Sequence, residues 1–134
     1  MLFETKPEVD IHEMSPLALA FVGDAVLELL VRAKLVGTTR LQPNRLHTVA
    51  THYVSAHAQS RELEILEPLL SEAEASVLRR GKNASKASVA KHATVQEYRA
   101  STGFECLLGW LYLQGRTDRV QELFDALWTG YQPQ

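Results

Sequence analysis

Two carboxylates stand where carboxylates are expensive. Asp24 lies in the run Ala20-Phe21-Val22-Gly23-Asp24-Ala25-Val26-Leu27, and Glu105 in Gly103-Phe104-Glu105-Cys106-Leu107-Leu108-Gly109-Trp110. A carboxylate among apolar neighbours is costly unless it is paired, neutralised or bound to a metal. Two oxygen donors from packed helices, completed by water, suit a hard divalent cation such as Mg²⁺ or Mn²⁺. A glycine beside each acid lets another helix or a phosphate backbone approach closely. The same residues allow a plainer arrangement. Asp24, Glu28 and Arg32 are spaced to form a solvated stripe with a Glu28–Arg32 pair, and Glu105 can pair with Arg99 or Lys34.

A second candidate is a basic segment. Between Val77 and Arg99 six basic residues (Arg79, Arg80, Lys82, Lys86, Lys91, Arg99) face one acid, Glu97, giving +5 in a chain of net charge −2. The remainder is therefore strongly acidic, with Glu4, Glu8, Asp10 and Glu13 near the start and Glu62, Glu64, Glu67, Glu72 and Glu74 in the middle. A cationic stretch in an anionic protein points to a directed contact with a polyanion; a solvated face is the bland alternative. Other chemistries find little support. His47, His52 and His57 are five residues apart, turn about 140° per step on a helix and share no face. His12 and His92 fall in expected loops. Cys106 is the single cysteine, which excludes an intrachain disulfide and a Cys-based zinc site, and it reads as a buried thiol. There is no glycine-rich phosphate loop.

The elements that carry these residues read as helices throughout, because no run alternates apolar and polar residues as a half-buried strand would. Ser15-Pro16 is an N-cap followed by proline at the first helical position. The apolar helix it opens is expected to reach about Val36, with Gly37 as its left-handed terminator. Asn44 is expected to cap a helix whose stripe is Leu46, Val49, Ala50, Tyr53, Val54 and Ala58, and a short helix follows around Leu63–Leu70. Ser71-Glu72-Ala73-Glu74 and Thr94-Val95-Gln96-Glu97 have capping-box spacing. The first opens a helix expected to end near Gly81. The second opens one running through Phe104, Leu107, Leu108 and Leu111 to Gly115. Residues 81–93 read as a loop, long enough for a compact domain that a function is expected of it. A last helix starts at Thr117-Asp118 and ends at Gly130.

The whole chain, 134 residues with 46% apolar and 22% charged types, fits one soluble domain, 1–134, and excludes disorder for its bulk. Leu17–Val36 is long enough to span a bilayer, but Asp24, Glu28, Arg32 and Lys34 make insertion expensive. The acidic N-terminal segment, 1–14, is no signal peptide. A reducing, cytoplasmic location is expected.

Leu19-Ala20-Phe21-Val22-Gly23-Asp24-Ala25-Val26-Leu27-Glu28 resembles the signature helix of the ribonuclease III catalytic domain, and Phe104-Glu105-Cys106-Leu107-Leu108-Gly109 resembles that family's second motif, about 80 residues on. The likeness is closest to the Mini-III subfamily, which has the catalytic domain alone. It is carried further by Gln42-Pro43-Asn44-Arg45-Leu46-His47, Tyr53-Val54-Ser55-Ala56-His57-Ala58-Gln59, Arg80-Gly81-Lys82-Asn83-Ala84 and the run from Val95 to Glu105, and it covers about residues 15–129. Full-length ribonuclease III has four active-site acids. Two match Asp24 and Glu105; the other two fall on Ala20 and Thr102, and a further acid near the start of the signature falls on Leu17. Mini-III enzymes are similarly reduced.

The resemblance implies an all-α homodimeric endoribonuclease that cleaves double-stranded RNA. In this reading Asp24 and Glu105 are the catalytic and metal-binding residues, with Mg²⁺ as cofactor and Mn²⁺ as a substitute. Arg79, Arg80, Lys82, Asn83, Lys86, Lys91 and Arg99 contact RNA, and Leu17, Ala18, Phe21 and Val22 form the dimer interface. The implied substrate is precursor 23S (large-subunit) ribosomal RNA, which a ribosomal protein can help present, and no double-stranded-RNA-binding domain is expected after the catalytic domain. Two other readings compete: a non-catalytic RNA-binding or ribosome-assembly module of the same fold, kept open by Ala20 and Thr102, and a helical adaptor without an RNA role, against which the basic segment counts.

Overall fold

A computed structural model describes residues 6–86 and 93–133. Among them the regular structure is helical, as the absence of alternating patterns requires. The order is α1 (Pro16–Thr38), α2 (Pro43–Val54), α3 (Ala56–Leu66), α4 (Glu72–Ala84), α5 (Val95–Leu113) and α6 (Thr117–Gly130). Single 3-10 turns at Ile11–Glu13 and Glu67–Leu69 precede α1 and α4. No helix among the described residues is long and apolar enough to cross a membrane.

α5 is the axis of the molecule. It contacts α1, α3, α4 and α6, which explains why it is apolar on more than one face. Phe104, Leu107, Leu108 and Leu111 are buried there against Leu27 and Val31 of α1, Leu63 and Leu66 of α3, and Leu123 and Leu127 of α6. An aromatic seam joins α2 to α6: Tyr53 stacks on Trp128 with ring centroids 4.5 Å apart, and Lys34 Nζ lies 5.8 Å over the Trp128 ring.

The caps behave as their spacing predicts. The Ser15 side chain accepts from Ala18 N, and both capping boxes, Ser71/Glu74 and Thr94/Glu97, are closed in both directions. Glu74 does more than cap. Arg119 of α6 grips it with two bonds of 2.9 Å and adds a third, 2.8 Å, to the Leu69 carbonyl, so α6 is clamped to the start of α4.

Five boundaries differ from expectation. The short helix expected around Leu63–Leu70 is instead the end of α3, which stops at Leu66, followed by the 3-10 turn Glu67–Leu69. α1 runs through Gly37 to Thr38, with Thr39 as C-cap; Gly37 stays helical, and the Thr38 and Thr39 hydroxyls donate to carbonyls one turn back. The second helix is capped at Gln42, with Pro43 rather than Asn44 opening it. Its apolar stripe does not continue to Ala58. Ser55 takes an extended conformation, ends α2 and caps α3 by accepting from Ala58 N, so one stripe is shared by two helices. α4 continues past Gly81 to Ala84, because Gly81 is needed for contact rather than termination: a side chain there would meet Gly103 Cα at 2.8 Å.

Candidate active site

The site begins with two glycines. A Cβ on Gly23 of α1 would overlap the carbonyl oxygen of Glu105, and a Cβ on Gly109 of α5 would overlap that of Leu19. Backbone therefore meets backbone where α1 crosses α5, closer than any pair of side chains would allow. That contact brings the residue after Gly23, Asp24, to Glu105.

Their carboxyl groups lie within hydrogen-bonding reach of one another. Asp24 is exposed and Glu105 half-buried, so the pair sits at the rim of the core with one side open to solvent. The Glu105 carboxyl is pushed up to about 7, first by burial and then by the negative charge of Asp24 and Glu28; a hydrogen bond from Gln59 pulls it part of the way back. Among the described residues no group of three or more His, Cys, Asp or Glu side chains gathers here or elsewhere. The donor set is two carboxylates, which matches a cation that keeps most of its water, as Mg²⁺ does. The crowding supplies the fit: like charges this close share a proton or take up a cation. Glu105 meets neither Arg99 nor Lys34. The Glu28–Arg32 pair of the plainer arrangement is present, at 3.0 Å, one turn along from Asp24.

The remaining candidate residues are distributed as follows. Arg79, Arg80, Asn83 and Lys86 are exposed at the end of α4 and just beyond it, and Arg99 is exposed on α5. Lys82 is half-buried, with its ammonium 3.8 Å from Glu67. Lys91 falls outside the described residues. Phe21 is 82% and Leu17 42% exposed, Ala18 is exposed, and Val22 is partly buried against the core. Ala20 is buried without an acid. Thr102, one turn before Glu105, donates to the Tyr98 carbonyl at 3.1 Å, and its Oγ1 lies 3.3 Å from Ser85 Oγ, holding the residue that caps α4 against α5. Cys106 is buried and its thiol pushed up to about 11 by burial, so it is no nucleophile.

Three polar residues carry structure that spacing did not reveal. Gln59 donates from Nε2 to Glu105 Oε2 at 3.0 Å and to the Val54 carbonyl at 2.9 Å. His57 Nδ1 meets Glu97 Oε2 at 2.5 Å, joining the starts of α3 and α5 and holding the Glu97 carboxyl below its usual range. Glu62 is 0% exposed, its carboxyl oxygens have no partner, and burial pushes it up to about 9. Gln59, Glu62, Leu63 and Leu66 recur at three- and four-residue steps, the one trace in the sequence that the two polar residues share the buried face.

Residues 17–116 match the Ribonuclease III domain. The chain is similar to Mini-ribonuclease 3 of Brevibacillus brevis, 46% identical over 109 residues spanning 81% of each chain, and to that of Enterococcus faecalis, 42% identical over 118 residues, 87% of this chain and 89% of the relative. An X-ray structure of a Fusobacterium nucleatum protein superposes with a TM-score of 0.82 at 28% identity, covering 92% of this chain and all of that one.

Proposed function

The chain belongs to the ribonuclease III family, in its Mini-ribonuclease 3 branch, and from that premise we propose a mechanism for its cleavage of double-stranded RNA: Asp24 and Glu105 jointly hold Mg²⁺, with Mn²⁺ as a substitute, against the scissile phosphate. The family's endoribonucleases depend on a divalent metal. A bound ion supplies an activated water and neutralises charge developing on the phosphate. The observation that carries the assignment is the forced meeting of two carboxyl groups at a solvent-open rim.

The protein's own groups do the rest. Asp24 and Glu105 bind and orient the ion from two helices whose backbones touch, so their separation is fixed by the core. Arg79, Arg80, Asn83, Lys86 and Arg99 meet phosphates and 2′-hydroxyls of the duplex, together with Lys82 and Lys91. Duplex RNA is read mainly by shape, which calls for cations and polar groups rather than a base-reading code. With few such contacts, binding is modest and salt-sensitive.

Two copies assemble through Leu17, Ala18, Phe21 and Val22, each contributing one active centre. A phenylalanine 82% exposed, one turn along α1 from the exposed Leu17 and Ala18, supports that face. The substrate is precursor 23S ribosomal RNA in the cytoplasm, presented with the help of a ribosomal protein. The deciding experiment incubates pure protein with labelled duplex RNA. Cleavage in Mg²⁺ and none in EDTA is expected; binding without cleavage in Mg²⁺ would leave a non-catalytic RNA-binding module.

A further inference from the structure

We propose that Gln59 is the positioning residue of this site: its side-chain amide fixes the Glu105 carboxylate in the orientation that receives the metal, making α3 a third element of the active centre. The inference rests on the reading of Asp24 and Glu105 as metal ligands.

The geometry leaves the amide little freedom. Gln59 is 1% exposed in the first turns of α3. A carboxamide nitrogen carries two hydrogens. One goes to the carbonyl of Val54, the last residue of α2, and the other to Glu105 Oε2. The Val54 carbonyl can only accept, and so can Glu105 once ionised, so the nitrogen faces them both while Gln59 Oε1 is left buried without a partner. The amide is thus strung between the end of one helix and the middle of another, and rotation would break two buried bonds at once. Glu105, gripped at one oxygen, loses its own rotational freedom while keeping lone pairs for a cation.

The chemistry of the donor fits this role. A lysine or arginine at the same place would orient Glu105 equally well, but it would neutralise the negative charge that attracts a divalent ion. A neutral amide orients without cancelling that charge. The break at Ser55 gives the arrangement its register: it starts a new helix whose first turns bring Gln59 under Glu105, which a continuation of α2 would not do.

The test measures metal binding by calorimetry on metal-free protein, using Mg²⁺ and Mn²⁺, beside duplex cleavage. Gln59→Leu is expected to weaken metal binding and raise the metal concentration for half-maximal activity about 10- to 100-fold, the range seen when the support of a ligand is removed. The KM for duplex RNA at saturating metal stays near the wild-type value. Thermal melting without metal separates the roles: a variant that melts close to wild type yet binds metal more weakly is expected, whereas a loss of metal binding that merely accompanies a large loss of fold stability would mean a structural role and overturn the proposal. Unchanged metal binding by Gln59→Leu would also overturn it. Should that variant fail to fold, the wild-type protein decides: the Gln59 side-chain amide NMR signals shift in step with Mg²⁺ titration, and signals that stay in place while the metal binds refute the role. Wild-type protein that binds no metal would sink the metal site itself, a different result from intact binding that ignores Gln59.

Discussion

Gly23 of α1 rests on the backbone carbonyl of Glu105 in α5, and Asp24 reaches Glu105 because of it. The neighbour is main chain, which cannot swing aside. Gly23→Ala is therefore expected to force the helices apart, costing about 3 kcal/mol or more, and to abolish cleavage. Thermal melting followed by circular dichroism reads the first effect. A variant melting like wild type would contradict the contact.

Asp24→Asn and Glu105→Gln keep the size of each side chain and remove its charge. Both variants are expected to fold and bind duplex RNA, and to lose cleavage by about 100-fold or more. Wild-type cutting by either would refute the assignment.

Metal affinity is expected to depend on pH. With the Glu105 carboxyl at about 7, a proton competes with the cation below that value and has left above it. Apparent affinity for Mg²⁺ therefore rises as pH increases through about 7. Calorimetric titrations on either side of neutrality check the sign; a flat response would place the proton elsewhere.

Glu62 gives a second pH dependence, with consequences for stability. Its folded value is about 9 against an ordinary 4.5, so between these the unfolded chain sheds a proton that the folded protein retains. The unfolded state then binds fewer protons, and stability falls as pH rises through that window. Glu62→Gln is expected to remove this slope and to stabilise the protein by about 1–3 kcal/mol near pH 8. Urea unfolding at about pH 5 and about pH 8 compares the two proteins. Parallel losses in both would exonerate Glu62.

The exposed Phe21 ring provides the test of assembly. Light scattering is expected to give twice the 15.0 kDa chain mass for wild type and the single-chain mass for Phe21→Glu. A wild-type protein already at 15.0 kDa would refute the dimer.

Much of this was legible in the residues. The caps at Ser15, Ser71 and Thr94 and the long stripe through Phe104 and Leu111 announce their helices because local chemistry and packing agree there. Asp24 and Glu105 stand out because acids among aliphatics are rare. The break at Ser55 was hidden, since one apolar stripe runs across it and serine signals a cap no louder than it signals a helix surface. Gly37 and Gly81 looked like terminators; the termini lie beyond both, and a glycine needed for close approach has the same letter as one needed for a turn. Gln59 and Glu62 were illegible for another reason. The side-chain partner of Gln59 is 46 residues away and the Glu62 carboxyl has no hydrogen-bond partner, and polar residues in a charged stretch read as solvated.

Asp24 and Glu105, the proposed metal ligands, project from two helices that cross backbone against backbone, not from a surface loop. Local fluctuations that fray termini do not reach such a place; only cooperative melting does. Amide hydrogens around Glu105 are expected to exchange as slowly as any in the protein, and heat is expected to erase catalysis and structure at one temperature. For this enzyme the durability of the chemistry and the lifetime of the native state are a single quantity.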